Sequence, residues 1–134
     1  RYGSPLSVAM FDLDNFKAIN DTHGHSVGDK ILEEVTATVN QTLRETDVQI
    51  RLGGEEFLVI MPEVNAEHAR LAMERVRRVV GQTSFTQQAL TVTLSAGVAN
   101  YVEASTTRLL DHADKAMYQA KQSGRDRVVV ASSM

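Results

Sequence analysis

Hydrophobic positions along the chain follow two different spacings, and the alternation between them predicts the order of helices and strands. A spacing of three to four residues predicts amphipathic helices over Val27–Leu43, Ala66–Val80 and Thr107–Gln122. Short apolar or alternating runs predict strands over Leu6–Phe11, Val48–Leu52, Phe57–Met61, Leu90–Val98 and Val128–Val130. We also expect a short helix or turn at Asn15–Asn20 and a loop at Asp21–His25.

Two of the predicted strands form a hairpin in the middle of the chain. They flank Gly53-Gly54, whose backbone tolerates the positive φ of a tight turn. A hairpin at this place excludes a purely parallel sheet, so we expect a mixed or antiparallel sheet with helices packed on it. Glu55 and Glu56 follow the glycines, and adjacent side chains of an extended chain point to opposite faces. The two carboxylates can therefore serve two roles, although a hairpin with solvated acids is the ordinary interpretation of such a segment.

A second pair of carboxylates lies at the end of the first predicted strand. Asp12 and Asp14 are spaced i, i+2, which places both side chains on one side of an extended backbone. Carboxylates held together repel unless a cation joins them, and Mg²⁺ binds through few carboxylates plus phosphate oxygens. The alternative is a polar loop entry in which Asp14 caps a helix.

Composition narrows the class of protein without identifying it. The 134 residues, 43% hydrophobic and 23% charged, are typical of one globular domain with a real core. The absence of cysteine excludes a disulfide framework and thiol chemistry, and it fits a cytoplasmic location. The net charge of -3 without a basic tract argues against nucleic acid as a partner. No apolar stretch is long enough to span a membrane, so we expect no direct membrane contact by this segment, although a larger parent could be anchored.

Several motifs together resemble those of the GGDEF family of diguanylate cyclases, here with the signature Arg51-Leu-Gly-Gly-Glu-Glu-Phe57. The other matching segments, in the family's order, are Phe11–Asp21, Gly24-His25 with Gly28-Asp29, Arg44-x-x-Asp47, Leu94–Val98, and Ala113-Asp114 through Tyr118–Lys121 to Gly124-Arg125. The resemblance implies a palm-like, mostly antiparallel sheet of about five strands flanked by helices, as in nucleotidyl cyclases. It implies synthesis of cyclic di-GMP from two GTP. Since each copy has one set of substrate motifs, catalysis should need a homodimer.

The resemblance also implies a role for each polar residue of the motifs. Mg²⁺ or Mn²⁺ would be held by Asp12, the carbonyl of Leu13 and Glu55, and Glu56 would act as base or transition-state stabiliser. The residues implied to bind the triphosphate are Asn15, Phe16, Lys17, Lys121 and Arg125. Asn20 and Asp29 would read guanine, since a carboxylate accepts both donors on the edge of that base. A turn, a helix cap and dipole complementation at a helix end are the alternatives for these groups.

An inhibitory product site is implied by Arg44 and Asp47, with Arg75 as a third contact. Arg44 would hold phosphate or stack on guanine, and Asp47 would accept from the guanine edge. The strand that separates this site from the turn spans on the order of 20 Å, so inhibition would have to act by coupling. An ordinary charged helix end is the alternative.

Two rival functions remain at this point, and one part of the family pattern is not found. The chain could be a module that senses cyclic di-GMP without turnover, or a cyclase that acts on one nucleotide. The family usually begins about thirty residues earlier than Arg1, and we expect residues 1–134 to be a single GGDEF domain that lacks this segment.

Overall fold

The structure of the protein, a computed structural model, describes residues 5–101 and 106–132. The expectation that the family's first segment is lacking before Arg1 concerns a part of the chain outside the described residues. The strands are β1 (Leu6–Leu13), β2 (Val48–Gly53), β3 (Glu56–Pro62), β4 (Leu94–Asn100) and β5 (Arg127–Val130). The helices are α1 (Phe16–His23), α2 (His25–Thr42), α3 (Ala66–Gly81) and α4 (Thr106–Gln122). The sheet has the order β2-β3-β1-β4-β5, and only the β4–β5 pair is parallel. The predicted α+β fold with a mixed, mostly antiparallel sheet of five strands is confirmed.

The central strand β1 separates two apolar layers, because its side chains alternate between the faces of the sheet. Ala9, Phe11 and Leu13 belong to the larger core, which α1, α2 and α3 cover. Val8 and Met10 belong to a smaller core beneath α4. The end of β1 therefore opens between helices that come from both faces.

The close seat of α4 on the sheet depends on Gly97 of β4. A Cβ atom there would come within 2.2 Å of both the Ala113 carbonyl oxygen and the Met117 backbone nitrogen. Only glycine allows this approach, which brings the C-terminal end of α4, with Lys121, over the end of β1.

Two predicted boundaries are wrong. The loop expected at Asp21–His25 is helical except at Gly24. A φ of 91° at this one residue ends α1 and separates it from α2. The strand predicted over Leu90–Val98 begins at Leu94, because Leu90 forms a separate antiparallel bridge with Phe85. Apolar spacing alone does not distinguish a residue of the sheet from one in a neighbouring small bridge.

Candidate active site

Acidic side chains from two neighbouring strands meet at the end of β1. Asp12 lies opposite Glu56 in the antiparallel β1–β3 register, and Glu55 occupies the hairpin turn next to Glu56. The turn is held by Arg51, whose Nε donates to the Gly54 carbonyl at 2.8 Å. The Leu13 N–H donates to the Glu55 carbonyl at 3.3 Å, which fixes the turn against the end of β1. The hairpin predicted from the sequence thus brings both glutamates to Asp12.

The environment of Asp12 disfavours its negative charge. The pKa of Asp12 is raised from 3.8 to about 6: burial is the largest cause, Lys121 opposes it, and Glu55 and Glu56 add to it. Its Oδ1 is buried and accepts no hydrogen bond from the described residues. Lys121 Nζ lies 3.6 Å from that oxygen, an ion-pair distance. A buried, under-satisfied carboxylate beside two further acids is the environment that a bound cation would neutralise.

A cation at this place would need ligands besides carboxylates. In the part of the chain that the structure describes, no group of three or more His, Cys, Asp or Glu is arranged to hold a metal ion by itself. A hard cation such as Mg²⁺ commonly uses one or two carboxylates together with phosphate oxygens and water. The donor set of Asp12, Glu55 and a backbone carbonyl fits such a cation when a nucleotide supplies the remaining oxygens.

Asp14 has a different place from Asp12, although the two are close in sequence. It is buried, and its carboxylate accepts from the Thr93 and Ser95 hydroxyls at 2.7 Å each and from the Asp126 N–H at 3.0 Å. Lys121 Nζ lies 3.5 Å from the Asp14 carboxylate. The alternative in which Asp14 caps a helix is wrong, since the N-cap of α1 is Asn15. Asp14 joins β1, β4 and the turn after α4, and so positions Lys121.

The beginning of α1 is open for an anion. Asn15 has a φ of 56°, and its side chain makes no capping hydrogen bond to the first turn. Phe16 is buried, so it could contact a ligand only through its backbone, whereas the Lys17 side chain is exposed and lies 3.7 Å from Asp21. Uncapped N–H groups at a helix start suit phosphate oxygens.

Arg125 lies in a turn that follows α4. Its φ of 65° is left-handed, and its N–H donates to the Ala120 carbonyl at 2.9 Å, which closes the helix end. The acid next to it, Asp126, pairs with Arg77 of α3 at 3.0 Å. The exposed Arg125 is therefore next in sequence to Asp126, whose carboxylate is already paired with Arg77.

The two predicted guanine readers lie on adjoining helices. Asn20 is on α1 and Asp29 is on the first turns of α2, after the break at Gly24. The Asn20 Oδ1 is buried without a hydrogen-bond partner among the described residues. It lies against Gly28, where a Cβ atom would come within 1.8 Å of it. The absence of a side chain at Gly28 makes room for the Asn20 amide, and a ligand would reach its Oδ1 only after the side chain rotates.

The segment Arg44–Asp47 forms a closed turn at the surface. The Arg44 Nη2 donates to Asp47 Oδ1 at 2.7 Å, and the Arg44 N–H donates to Asp47 Oδ2 at 3.0 Å. The Asp47 side chain is only 2% exposed, and the Arg44 side chain is half-exposed. Arg44 also donates to the Pro62 carbonyl at 2.9 Å, which ties the turn to the end of β3. Arg75 is exposed on α3 and, within residues 5–101 and 106–132, forms no hydrogen bond or ion pair with either residue.

Several residues shape the site although the sequence analysis gave them no role in it. Those that support it through packing or hydrogen bonds are Gly28, Thr93, Ser95, Gly97 and Asp126. A serine inside the otherwise apolar run Leu94–Val98 was a usable signal, because a buried hydroxyl requires a partner. The glycines gave no such signal, since the atoms they make room for are distant in sequence.

The fold and the acid cluster define an α+β domain with a polar site at the end of its central strand, beneath a helix that supplies a lysine. The chain belongs to the family described as "Diguanylate cyclase, GGDEF domain", which it matches over residues 1–127. It is 41% identical over 133 residues to diguanylate cyclase A of Treponema denticola, covering 96% of this chain and 36% of that protein. It is 44% identical to the response regulator PleD of Caulobacter vibrioides, covering 95% of this chain and 29% of that protein. The chain thus spans about a third of the length of these relatives.

Solved structures of GGDEF domains share the fold closely. The active GGEEF domain of a diguanylate cyclase from Vibrio cholerae has a TM-score of 0.92 at 30% identity, covering 98% of this chain and 85% of that one. The GGDEF domain of DgcB from Caulobacter crescentus, solved in complex with c-di-GMP, has a TM-score of 0.91 at 31% identity, covering 98% of this chain and 80% of that one. The family resemblance of the sequence motifs is therefore confirmed. Among the described residues, no helix combines the length and apolar character needed to cross a membrane.

Proposed function

We propose that this domain is a diguanylate cyclase that condenses two GTP into cyclic di-GMP and two pyrophosphates. The observation that carries the proposal is the acid cluster, in which the under-satisfied Asp12 lies opposite Glu56 and beside Lys121. Membership of the GGDEF family supports the same reaction. GTP would be the substrate, and a domain that uses GTP is expected to face the cytoplasm.

Mg²⁺ or Mn²⁺ fits the donor set of Asp12, the Leu13 carbonyl and Glu55. When bound, such an ion supplies charge neutralisation at the α-phosphate. The raised pKa of Asp12 supports this assignment, because a nearby cation would favour the ionised carboxylate.

Glu56 is the residue proposed to act on the attacking hydroxyl. The 3′-oxygen of one GTP forms a bond to the α-phosphorus of the other, and the bond from that phosphorus to the pyrophosphate oxygen breaks. The hydroxyl proton passes to the Glu56 carboxylate, and pyrophosphate departs with the electron pair of the broken bond. The same transfer in the opposite sense, from the 3′-oxygen of the other GMP unit, closes the ring and releases the second pyrophosphate. A carboxylate placed for this transfer contributes typically about 10²- to 10⁴-fold in rate.

The remaining site residues are proposed to hold one GTP per chain. The triphosphate would lie between the backbone N–H groups of Asn15–Lys17 and the cations Lys121 and Arg125, as the uncapped helix start supports. The guanine would donate to Asn20 Oδ1, which has no partner of its own, and to Asp29. Since the product contains two GMP units, two chains must meet face to face, as a homodimer.

The surface turn at Arg44–Asp47 is proposed as an inhibitory site for cyclic di-GMP, with Arg75 as a third contact. The half-exposed Arg44 guanidinium can meet a phosphate without losing its bond to Asp47. Reading of a guanine edge by Asp47 would require part of that bond to open, since both carboxylate oxygens already accept from Arg44. Affinity at this site therefore includes the cost of that rearrangement.

A second candidate function is a sensor of cyclic di-GMP without turnover. The preformed Arg44–Asp47 turn favours it, because a ligand could bind there whether or not the acid cluster is active. Turnover of GTP distinguishes this candidate from the first.

The deciding experiment is incubation with GTP and Mg²⁺ at several protein concentrations, with the products separated by chromatography. A cyclase that needs two chains gives cyclic di-GMP at a rate that rises more steeply than linearly with protein. Absence of product together with tight binding of cyclic di-GMP would contradict the cyclase and support the sensor. A rate strictly proportional to protein at every concentration would contradict the requirement for two chains that meet transiently.

A further inference from the structure

The turn between α4 and β5 has an uncommon backbone conformation. Gly124, Arg125 and Asp126 all have a positive φ, of 127°, 65° and 48°. Glycine adopts such angles freely, but residues with a Cβ atom seldom do, because the left-handed conformation brings that atom close to the following carbonyl oxygen. Two consecutive residues of this kind need support from outside the turn. Since the turn carries Arg125, one of the two cations proposed for the triphosphate, its support bears on substrate binding.

Two contacts from outside the turn reach it at Asp126. The Asp126 N–H donates to the buried Asp14 carboxylate at 3.0 Å, and the Asp126 carboxylate accepts from the Arg77 Nη1 at 3.0 Å. Arg77 lies on α3, and its Nε also donates to Glu74, one turn earlier, at 2.8 Å. The Arg77 side chain is only 24% exposed, so this is not an ordinary solvated surface ion pair. The Asp126 carboxylate is therefore held at a fixed place in the turn, next to Arg125.

A carboxylate at this place is unfavourable for a triphosphate ligand. The Arg125 guanidinium is exposed and, within the described ranges, has no hydrogen bond or ion pair of its own. Charges on adjacent residues lie within about 10 Å of each other, the distance over which salt at about 0.1 M screens charges. An unmatched Asp126 would therefore repel the same phosphates that Arg125 attracts. The guanidinium of Arg77 offsets that repulsion.

We propose that Arg77 is a positioning residue for GTP, which acts through Asp126 by offsetting its negative charge beside the triphosphate. The inference rests on the proposed function, in which Arg125 contacts the phosphates. Because the Arg77 guanidinium already pairs with Glu74 and Asp126, its effect on GTP is indirect. The effect should appear in the affinity for GTP, and thus in KM, rather than in kcat.

The test separates this electrostatic role from a purely mechanical one. Arg77→Met removes the positive charge and keeps the apolar stem, whereas Asp126→Asn removes the negative charge and keeps an oxygen that can accept from Arg77. The double variant loses the ion pair but has the net charge of the parent protein. Arg70→Met is the matched control, because Arg70 pairs with Glu67 at the same i, i−3 spacing on α3 and, among residues 5–101 and 106–132, with no residue outside that helix.

For each variant we would measure binding of a GTP analogue with a methylene group between the α- and β-phosphorus atoms, with Mg²⁺ and at two salt concentrations. Initial rates of cyclic di-GMP formation give KM and kcat, and thermal unfolding shows whether the variant is folded. We expect Arg77→Met to weaken analogue binding by about three- to tenfold and to raise KM in proportion, with kcat within about twofold of the parent. The loss should be smaller at the higher salt concentration, and Arg70→Met should bind as the parent does.

The double variant should bind the analogue within about twofold of the parent protein, because the repelling carboxylate is removed together with Arg77. Unchanged binding in Arg77→Met would overturn the inference. Binding in the double variant that is as weak as in Arg77→Met would also overturn it, because the ion pair would then act only by holding the turn.

Asp126→Asn alone should bind the analogue at least as tightly as the parent protein. Weaker binding would contradict the inference, and this variant decides the question if Arg77→Met does not fold. If the unsubstituted protein binds the analogue but forms no cyclic di-GMP, the proposed function fails, while the analogue titrations still decide the role of Arg77.

Discussion

At the scale of single residues, Asp12 combines a half-buried carboxylate with two acidic neighbours and a raised pKa. Its pKa of about 6 in the folded protein exceeds the ordinary value of 3.8, so between these pH values the folded state binds more protons than the unfolded state. The contribution of Asp12 to stability is therefore fully present below about pH 4 and is lost as the pH rises through 6. Glu55 and Glu56 contribute to the shift after burial, which links the stability of the protein to the charge of its site.

The Asp12→Asn substitution should abolish this pH dependence in protein freed of divalent cations. Relative to the parent protein, the free energy of unfolding of the variant should increase by on the order of 2 to 3 kcal/mol as the pH rises from 4 to 7. Denaturant unfolding at both pH values, in the presence of a chelator, measures the difference. Asp111→Asn, at an exposed site, is the control, and an equal pH response of Asp12→Asn and the parent would contradict the assigned environment.

Glu56 tests the proposed chemistry at the same scale. The Glu56→Gln variant keeps the size of the side chain and loses the proton acceptor, so we expect turnover to fall by about 10² or more while binding of a GTP analogue persists. Product formation and analogue binding would be measured side by side. Full residual activity would remove Glu56 from the proton transfer, and loss of analogue binding would show that its role is in substrate binding.

At the scale of elements, glycines decide how closely the helices approach the site. Gly97 lets the backbone of α4 lie on β4, and Gly28 lets the Asn20 amide fit between α1 and α2. Neither effect involves flexibility; both are close contacts that a single methyl group would prevent. The close contact at Gly97 sets the position of Lys121 and of the groove that Asp114 and Tyr118 line along α4.

The Gly97→Ala substitution should force α4 away from the sheet. Its Cβ would meet backbone atoms of α4, which cannot move as a side chain can, so we expect a loss of about 3 kcal/mol or more in the free energy of unfolding. Gly81→Ala is the matched control, because a Cβ there meets no atom within 4 Å and the helix end gains a better helix former. Thermal or denaturant unfolding of both variants gives the comparison, and equal stability would contradict the close packing of α4.

At the scale of the whole molecule, the proposed inhibitory site and the acid cluster lie at opposite ends of the β2–β3 hairpin. Arg44 donates to the Pro62 carbonyl at the end of β3, whereas Glu56 begins β3 and Glu55 lies in the turn before it. The hairpin is thus a physical connection between the two sites, and any feedback must act along it or through the pairing of two chains.

The Arg44→Ala variant should relieve inhibition by cyclic di-GMP and leave the uninhibited rate unchanged, since Arg44 contacts no residue of the acid cluster. Initial rates at increasing product concentration measure the effect. Arg70→Ala on α3, which removes another partly exposed arginine paired with a carboxylate, is the control. An unchanged inhibition constant in the Arg44 variant would exclude this residue from the site.

The sequence by itself determined the element order and the hairpin, because these depend on local properties. Hydrophobic spacing identifies amphipathic helices and buried strands, and Gly53-Gly54 specifies the turn that places Glu55 and Glu56 beside Asp12. The motifs also identified the family, since they recur in one order along the chain.

Only the tertiary structure decided which polar groups are engaged and which are free. Asp12 and Asp14 look equivalent in the sequence, yet the Asp14 carboxylate accepts from Thr93, Ser95 and the Asp126 N–H, while the Asp12 Oδ1 accepts no hydrogen bond from the described residues. Asp114 and Tyr118 line one groove together with Glu56, because Gly97 lets α4 lie close against the sheet. These outcomes depend on contacts between residues far apart in the chain, about which local patterns carry no information.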